Sequence, residues 1–356
     1  MLRTFEDALF PEKLRWEYAH ANVEVNAGQE GWWWALRHQH NEKCDIACFN
    51  TTARLLMRSE IARMLYPKAN TDPYETCCYV PMIGIMNLMV PVGCNASCPG
   101  ICFTDIGNWK PDSAHLTPYE LYEILEEFSL MGGKLIRIVG DGEPVLYKEL
   151  PGLCRWARCF GKNVIVFTNG LTIPEPVIHE YEKGSLFFYI KLWSEDAETQ
   201  NRLVTPKRPY KYTDGPLGNA PDVFYQLHAI DPERVGFQVM VSKLNEADAR
   251  RIISGPKTKV PLFIEAFIPE GAGRDHRELI VQGFSYTKSC EQPPRGSYLA
   301  VINSKGELQA GTFVSEGAVC VKGGKLKRTW GNIFTSSELF FKARYDSGCF
   351  CEQMRS

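Results

Sequence analysis

Strand and helix patterns alternate from residue 80 to about residue 270, and that rhythm restricts the fold more than any other feature of the chain. Val80 to Val92 (VPMIGIMNLMVPV) is almost continuously apolar, which suits a first strand buried on both faces. Gly93 and Cys94 end it. Thr117-Pro118-Tyr119-Glu120 is a capping box with proline at the first helical position. Gly132-Gly133 closes that helix, and LIRIV (135–139) follows as a strand. The same alternation predicts a helix near 148–160, VIVF (164–167), a helix near 175–183, LFFYIKL (186–192) and a helix near 196–204. VGFQVMV (235–241), a helix near 245–254 and VPLFIEAF (260–267) complete it. Six strands separated by helices predict an α/β fold, a parallel sheet curved into a partial (β/α)6 TIM-like barrel with right-handed crossovers.

The flanks read differently. Residues 1–79 are polar and aromatic, with helix-like stretches around 11–21 and 52–66, the run Trp32-Trp33-Trp34 and no strand alternation. They are expected to form a helical N-terminal extension. Beyond about residue 280, YLAVI and ELQAGTF flank the turn Asn303-Ser304-Lys305-Gly306 as a β-hairpin, and a short helix follows near 336–344. The expected organisation is an extension over 1–79, a barrel over 80–280 and a small hairpin-and-helix module over 281–356.

Forty basic residues against forty-two acidic ones leave a net charge of −2. No global field draws nucleic acid or an anionic membrane, so neither is an expected partner. No stretch approaches the roughly 18 uninterrupted apolar residues of a membrane span, and the N-terminus lacks a long apolar core, so a cytoplasmic protein is expected. Thirteen cysteines are many for that compartment, and their odd number argues against a disulfide framework. Metal or redox work explains them better.

Three of these cysteines, Cys94, Cys98 and Cys102, sit in CNASCPGIC directly after the first strand. Thiolates are the natural ligands of iron–sulfur clusters, and three of them leave one iron open. Gly93, Pro99 and Gly100 allow the tight curl that wrapping a compact cluster demands. A zinc knuckle or a group of buried cysteines would use the same letters. The position favours the cluster, because reactive centres in parallel α/β barrels lie at the carboxyl ends of the strands.

With this loop in place the chain resembles the radical S-adenosylmethionine (SAM) superfamily over about residues 80–270. Gly140-Asp141-Gly142-Glu143-Pro144 after the second strand resembles the family's GGEP motif, which implies contact with the methionyl ammonium of SAM. Thr168-Asn169-Gly170 after the third strand is similar to its TNG signature near the ribose. KLWSEDAETQNRL (191–203) resembles the fourth-strand segment, which implies contacts from Lys191, Ser194 and Arg202 to the SAM carboxylate or ribose. Asn245 and Glu265 fall where relatives carry polar residues, which implies Glu265 as a further cofactor contact, although a helix cap and a satisfied interior carboxylate read equally well. The chain departs from the usual C-x3-C-x2-C by one residue before Cys102, with Phe103 still supplying the aromatic beside the last ligand. That spacing is similar to variants acting on aminoglycosides.

Cys290, Cys320, Cys349 and Cys351 resemble the ligand set of a Twitch, or shortened SPASM, extension, and Gly331-Asn332-Ile333 resembles its GNI. The resemblance implies a second, auxiliary 4Fe–4S cluster; a zinc site and unliganded cysteines are the alternatives. His38, His40, Cys44 and Cys48 could be written as a metal site, but surface histidines and packed cysteines explain them better. Trp32 to Trp34 are expected to pack the extension onto the barrel, and Cys77, Cys78, Cys154 and Cys159 to pack in the core, unless one donates hydrogen to a substrate radical.

The resemblance implies an enzyme holding a 4Fe–4S cluster and SAM, fed by a flavodoxin- or ferredoxin-type electron donor. It forms a 5'-deoxyadenosyl radical that abstracts hydrogen from a small-molecule or peptide substrate. Epimerase or dehydrogenase action on a carbohydrate or aminoglycoside-type natural product is the first expectation. A maturase of ribosomally made peptides is the rival, disfavoured by the missing three-strand pattern in residues 1–80. A non-catalytic iron–sulfur protein is the third.

Overall fold

The computed structural model describes residues 4–9, 85–104, 115–130, 133–267, 269, 271–281, 299–309 and 329–332. The helix-like stretches at 11–21 and 52–66, the tryptophan run, the candidate site at His38–Cys48, Cys77, Cys78, the helix near 336–344 and the four cysteines of the C-terminal module lie outside them. The described residues fall into two compact units. The first holds helix α1 (Phe5–Leu9), β1 (Ile85–Val90) from Leu88 onward, the cysteine loop and everything described from Leu135 to Val281. The second holds α2 (Pro118–Leu130) and the strands β9 (Leu299–Ile302), β10 (Glu307–Gln309) and β11 (Thr329–Asn332).

In the first unit the alternation resolves into β2 (Leu135–Gly140), α3 (Leu150–Cys159), β3 (Asn163–Thr168), α4 (Glu175–Glu182), β4 (Leu186–Leu192) and α5 (Ala197–Val204). After an insertion come β7 (Val235–Val241), α7 (Glu246–Ser254) and β8 (Leu262–Ala266). The sheet order is β1-β2-β3-β4-β7-β8, and the pairs from β2 through β8 are parallel. This is the partial (β/α)6 barrel that the rhythm predicts. All six residues of β1 and all seven of β7 are buried, as strands covered on both faces require.

The two faces of β4 separate cleanly because successive side chains alternate. Phe188 meets Tyr181 of α4 at 5.5 Å between ring centroids, so it lies on the helix side. Phe187, Tyr189 and Lys191 therefore face the barrel interior. There Phe167, Tyr189 and Phe263 form a triangle of rings 5.1–5.5 Å apart. Phe5 of α1 packs on Phe187 and Tyr189, and its N–H donates to the Tyr189 hydroxyl at 2.7 Å. Phe5 and Tyr189, the two buried rings of this group, each stabilise the fold by about 1.5–3 kcal/mol.

The insertion carries elements that the sequence reading leaves out. Strands β5 (Tyr212–Gly215) and β6 (Gly218–Pro221) form an antiparallel hairpin about Pro216-Leu217, and α6 (Asp222–Ile230) follows. Phe224 of α6 stacks on Phe237 at 4.2 Å.

In the second unit the capping box forms as expected. Glu120 accepts from the Thr117 N–H at 2.7 Å and from its hydroxyl at 2.8 Å, and the Glu120 N–H donates back to Thr117 Oγ1 at 3.3 Å. The hairpin β9–β10 turns at Asn303–Gly306, where the Gly306 N–H donates to the Asn303 carbonyl and Gly306 takes φ +77°. Gly331-Asn332 lies in a third antiparallel strand, β11, paired with β10.

Candidate active site

The cysteine loop leaves the carboxyl end of β1 and curls through one turn, with the Cys102 N–H donating to the Cys98 carbonyl at 3.1 Å and Gly100 at φ +67°. Cys94, Cys98 and Cys102 are free and half-buried. Two segments hold the loop. On one side the Ser97 N–H donates to the Thr205 carbonyl, Lys207 N–H donates to the Asn95 carbonyl, and Ala96 bridges Pro206. On the other, the Gly273 N–H donates to the Cys102 carbonyl, and Gly271 packs so tightly on the Phe103 backbone that an added Cβ would sit 2.4 Å from it.

The segment Gly140–Pro144 lies directly against the start of this loop. The Asp141 N–H donates to Val90, Glu143 N–H donates to Gly93 at 3.0 Å, and Gly142 leaves no room for a Cβ beside Gly93. Glu143, 2% exposed, is the bracket between strand ends: it accepts from the Thr168 hydroxyl at 2.6 Å, the Asn169 N–H at 2.7 Å and the Val145 N–H at 3.3 Å. Burial raises its carboxyl, and those three hydrogen bonds and the Lys191 ammonium oppose the rise. Pro144 opens the short 3-10 helix that Glu143 caps. Asn169 reaches back to the cysteine loop, donating to Asn95 Oδ1 at 2.7 Å with Cys94 Sγ 3.9 Å away. Gly170, at φ +74° with Ile190 against it, lets the chain turn there.

Three successive strand ends thus meet in one bonded group. The other expected residues divide. Lys191 points into the barrel interior with its ammonium 5.7 Å over the Phe103 ring, where its charge opposes the rise that burial gives the Cys98 thiol. Glu265 lies beside it and accepts from Gln238 Nε2; burial raises its carboxyl against Lys191, Gln238 and Arg137. Ser194 is fully buried, donating to Asp248 at 2.5 Å and accepting from the Asp196 N–H, so its hydroxyl already has partners. Arg202 is exposed on the last turn of α5. Asn245 ties strand ends together: its amide donates to the Trp193 and Met240 carbonyls and its oxygen accepts from Ser242.

Sequence reasoning missed several neighbours. Tyr210, buried, donates its hydroxyl to the Asn169 carbonyl at 2.9 Å. Thr104 donates to the Asp141 carbonyl at 2.7 Å. Trp193 packs with Tyr210 and Met240 in the apolar cluster against which Cys94 and Cys98 lie. Their signals are weak, since each acts through a partner remote in sequence.

These residues fit an iron–sulfur cluster. Burial pushes the Cys98 thiol up to about 12, with Lys191 pulling against it, and the neighbouring thiols Cys102 and Cys94 add to the rise. Burial and Glu143 raise Cys94. Cys94 and Cys98, whose ionisation burial opposes, call for cationic compensation of the kind that bound iron would supply. Among the described residues no three His, Cys, Asp or Glu side chains converge as the ligands of a single metal ion do. The Trp193 indole N–H, buried without an acceptor, leaves a donor unused beside Cys94 and Cys98.

No family model matches the chain. It is 26% identical over 144 residues to an S-adenosylmethionine-dependent nucleotide dehydratase of Lacinutrix mariniflava, a match covering 39% of this chain and 30% of that protein. The match spans less than a third of the relative's length. Among solved structures, it is similar to SuiB of Streptococcus suis bound to its precursor peptide SuiA, with TM-score 0.50 and 14% identity over 84% of this chain and 83% of that one. SuiB bound to S-adenosylmethionine gives TM-score 0.50 and 16% identity, covering 83% and 78%. The likeness to SuiB is one of fold.

Proposed function

We propose that this chain is an enzyme that reductively cleaves SAM and abstracts a hydrogen atom from a bound substrate. The observation that carries the reading is the bonded group at three strand ends, in which Glu143 joins Thr168-Asn169 to the GDGEP segment and Asn169 joins both to the cysteine loop. Cys94, Cys98 and Cys102 would hold a 4Fe–4S cluster, which when bound supplies the electron that splits SAM into methionine and a 5'-deoxyadenosyl radical.

The chain's own residues provide orientation and charge. The backbone of Gly140–Glu143, fixed on Val90 and Gly93, presents the segment that would meet the SAM ammonium. Lys191, half-buried on an interior face, would offer the cation for its carboxylate. Thr168 and Asn169 stand where the ribose would lie, with Tyr210 holding the Asn169 carbonyl. Ser194 acts by holding the turn after β4 through Asp248, and Arg202 would meet SAM only from the surface of α5. Glu265 and Gln238 line the interior beside Lys191, where a substrate would be held. An electron donor of the flavodoxin or ferredoxin type is part of the reading.

Epimerisation or dehydrogenation of a carbohydrate or aminoglycoside-type natural product is the reaction we carry, supported by the C-x3-C-x3-C spacing. Peptide maturation is a second reading, supported by SuiB, whose structure holds a precursor peptide. Anaerobic reconstitution with iron and sulfide, followed by SAM and dithionite, tests the shared chemistry. Wild type is expected to form 5'-deoxyadenosine, and a Cys94→Ala/Cys98→Ala/Cys102→Ala variant to form none. A fully loaded wild type that neither cleaves nor binds SAM would leave a non-catalytic iron–sulfur protein. Turnover with an aminoglycoside panel or with a precursor peptide then separates the two substrate readings.

A further inference from the structure

Thr104 stands two residues beyond the last loop cysteine, with its hydroxyl between two groups of the site. It donates to the Asp141 carbonyl at 2.7 Å, and its oxygen lies 3.3 Å from Cys102 Sγ. Its place is fixed from behind, because Gly271 closes on the Phe103–Thr104 backbone so that an added Cβ would lie 2.7 Å from the Thr104 nitrogen. A hydroxyl has one proton to give. A free Cys102 thiol can donate to Thr104 while Thr104 donates to Asp141, and every hydrogen is used.

A metal-bound thiolate has no proton and can only accept. With Cys102 in that state, Thr104 faces two acceptors, the thiolate sulfur and the Asp141 carbonyl, and hydrogen bonds to charged acceptors are roughly twice as strong as neutral ones. We propose that Thr104 is a positioning residue whose hydroxyl becomes the hydrogen-bond donor to the Cys102 sulfur once that sulfur is a cluster ligand, and that this bond raises the reduction potential of the cluster. The inference rests on the reading of Cys94, Cys98 and Cys102 as a cluster loop. A donor on a ligand sulfur withdraws electron density and stabilises the more negative, reduced state, so its loss lowers the potential.

Thr104→Val keeps the shape and removes the donor; Thr104→Ser keeps the donor. Midpoint potentials are measured by anaerobic redox titration on the reconstituted full chain without SAM, the barrel cluster being identified by the change SAM causes in its reduced EPR signal. The expected result is a shift to more negative potential for Thr104→Val at full iron loading, with Thr104→Ser at the wild-type value. A fully loaded Thr104→Val with the wild-type potential, or a Thr104→Ser shifted as far as the valine variant, overturns the proposal. If Thr104→Val takes up no iron, Thr104→Ala replaces it in the same titration, and a loaded Thr104→Ala at the wild-type potential overturns the proposal. If neither variant takes up iron while Thr104→Ser does, the hydroxyl serves to assemble the site through Asp141 rather than to tune the cluster, which also overturns it. A wild type that forms no cluster fails the parent reading, which is a different outcome from a loaded wild type indifferent to Thr104.

Discussion

A methyl group on Gly142 would stand 2.4 Å from the Gly93 carbonyl group and 2.6 Å from the Val92 oxygen, so the GDGEP segment and the cysteine loop can meet only while Gly142 stays a glycine. Gly142→Ala should cost about 1–3 kcal/mol through this overlap and lower iron uptake, read by denaturant unfolding and iron-to-protein ratio. Unchanged values in both would show that the two segments do not depend on each other. A second residue-level test concerns Glu180, whose side chain is 1% exposed and bonded to Arg155 and Arg158. Burial pushes its carboxyl up, but the two guanidinium groups and Lys183 outweigh it and hold it below the ordinary range. A depressed carboxyl stabilises the fold above its unfolded pKa and loses that contribution as pH falls through the folded value. Glu180→Gln should therefore cost on the order of 2 kcal/mol at neutral pH, and the gap from wild type should close below about pH 4; a gap independent of pH would contradict this. The cysteines, Glu143 and Thr168 are legible in the sequence because their types and spacing are restrictive. Thr104 and Tyr210 are not, because a lone hydroxyl acquires meaning only from a partner 37 or 41 residues away.

At the scale of elements, the six barrel strands and their helices are readable from their apolar periods, helped at two helices by a side-chain cap, Thr117 before α2 and Asp196 before α5. The β5–β6 hairpin and α6 escaped because their strands are four residues long and carry Gly215, Gly218 and Pro221 in place of alternating apolar side chains. What holds the hairpin is a buried charge: Lys257, 0% exposed, donates to Glu195 and to the Leu217 carbonyl at 3.2 Å, while Asn219 donates to the Glu195 carbonyl. Lys257→Met should destabilise the chain by about 2 kcal/mol through loss of its hydrogen bonds to Glu195 and the Leu217 carbonyl, since Glu195, partly exposed, keeps Arg251 as a partner. A fully cooperative melt at the wild-type temperature would refute that anchoring role. The segment between α5 and the hairpin has a different task, because Thr205 and Asn95 contacts and the Tyr210 hydroxyl fasten it to the cysteine loop and to Asn169. Tyr210→Phe removes one hydrogen bond, about 1 kcal/mol, and is expected to weaken SAM binding while leaving iron content unchanged. Equal affinity in wild type and variant, by equilibrium binding to the loaded protein, would reduce Tyr210 to packing.

For the whole molecule, the described site lies within one compact unit, while β9, β10 and β11 belong to the other. Its three cysteines are those of the loop after β1; Cys290, Cys320, Cys349 and Cys351 are separate in sequence and, if the resemblance to a Twitch extension holds, would bind an auxiliary cluster. If both readings hold, SAM cleavage needs only the first set, because the bonds joining the cysteine loop, Glu143 and Thr168-Asn169 are all internal to the barrel unit. Reconstituted wild type should then bind about eight iron atoms, and each cysteine-to-alanine set should leave about four, one 4Fe–4S cluster apiece. The chain lacking the four C-terminal cysteines should still form 5'-deoxyadenosine yet lose turnover of its substrate, because the auxiliary cluster would no longer accept the substrate's electron. An iron-free barrel triple variant would remove the auxiliary cluster and, with it, the case for dehydrogenation. Turnover that survives loss of the C-terminal cysteines would instead favour epimerisation, in which a hydrogen atom returned to the substrate radical closes the reaction and no electron has to leave.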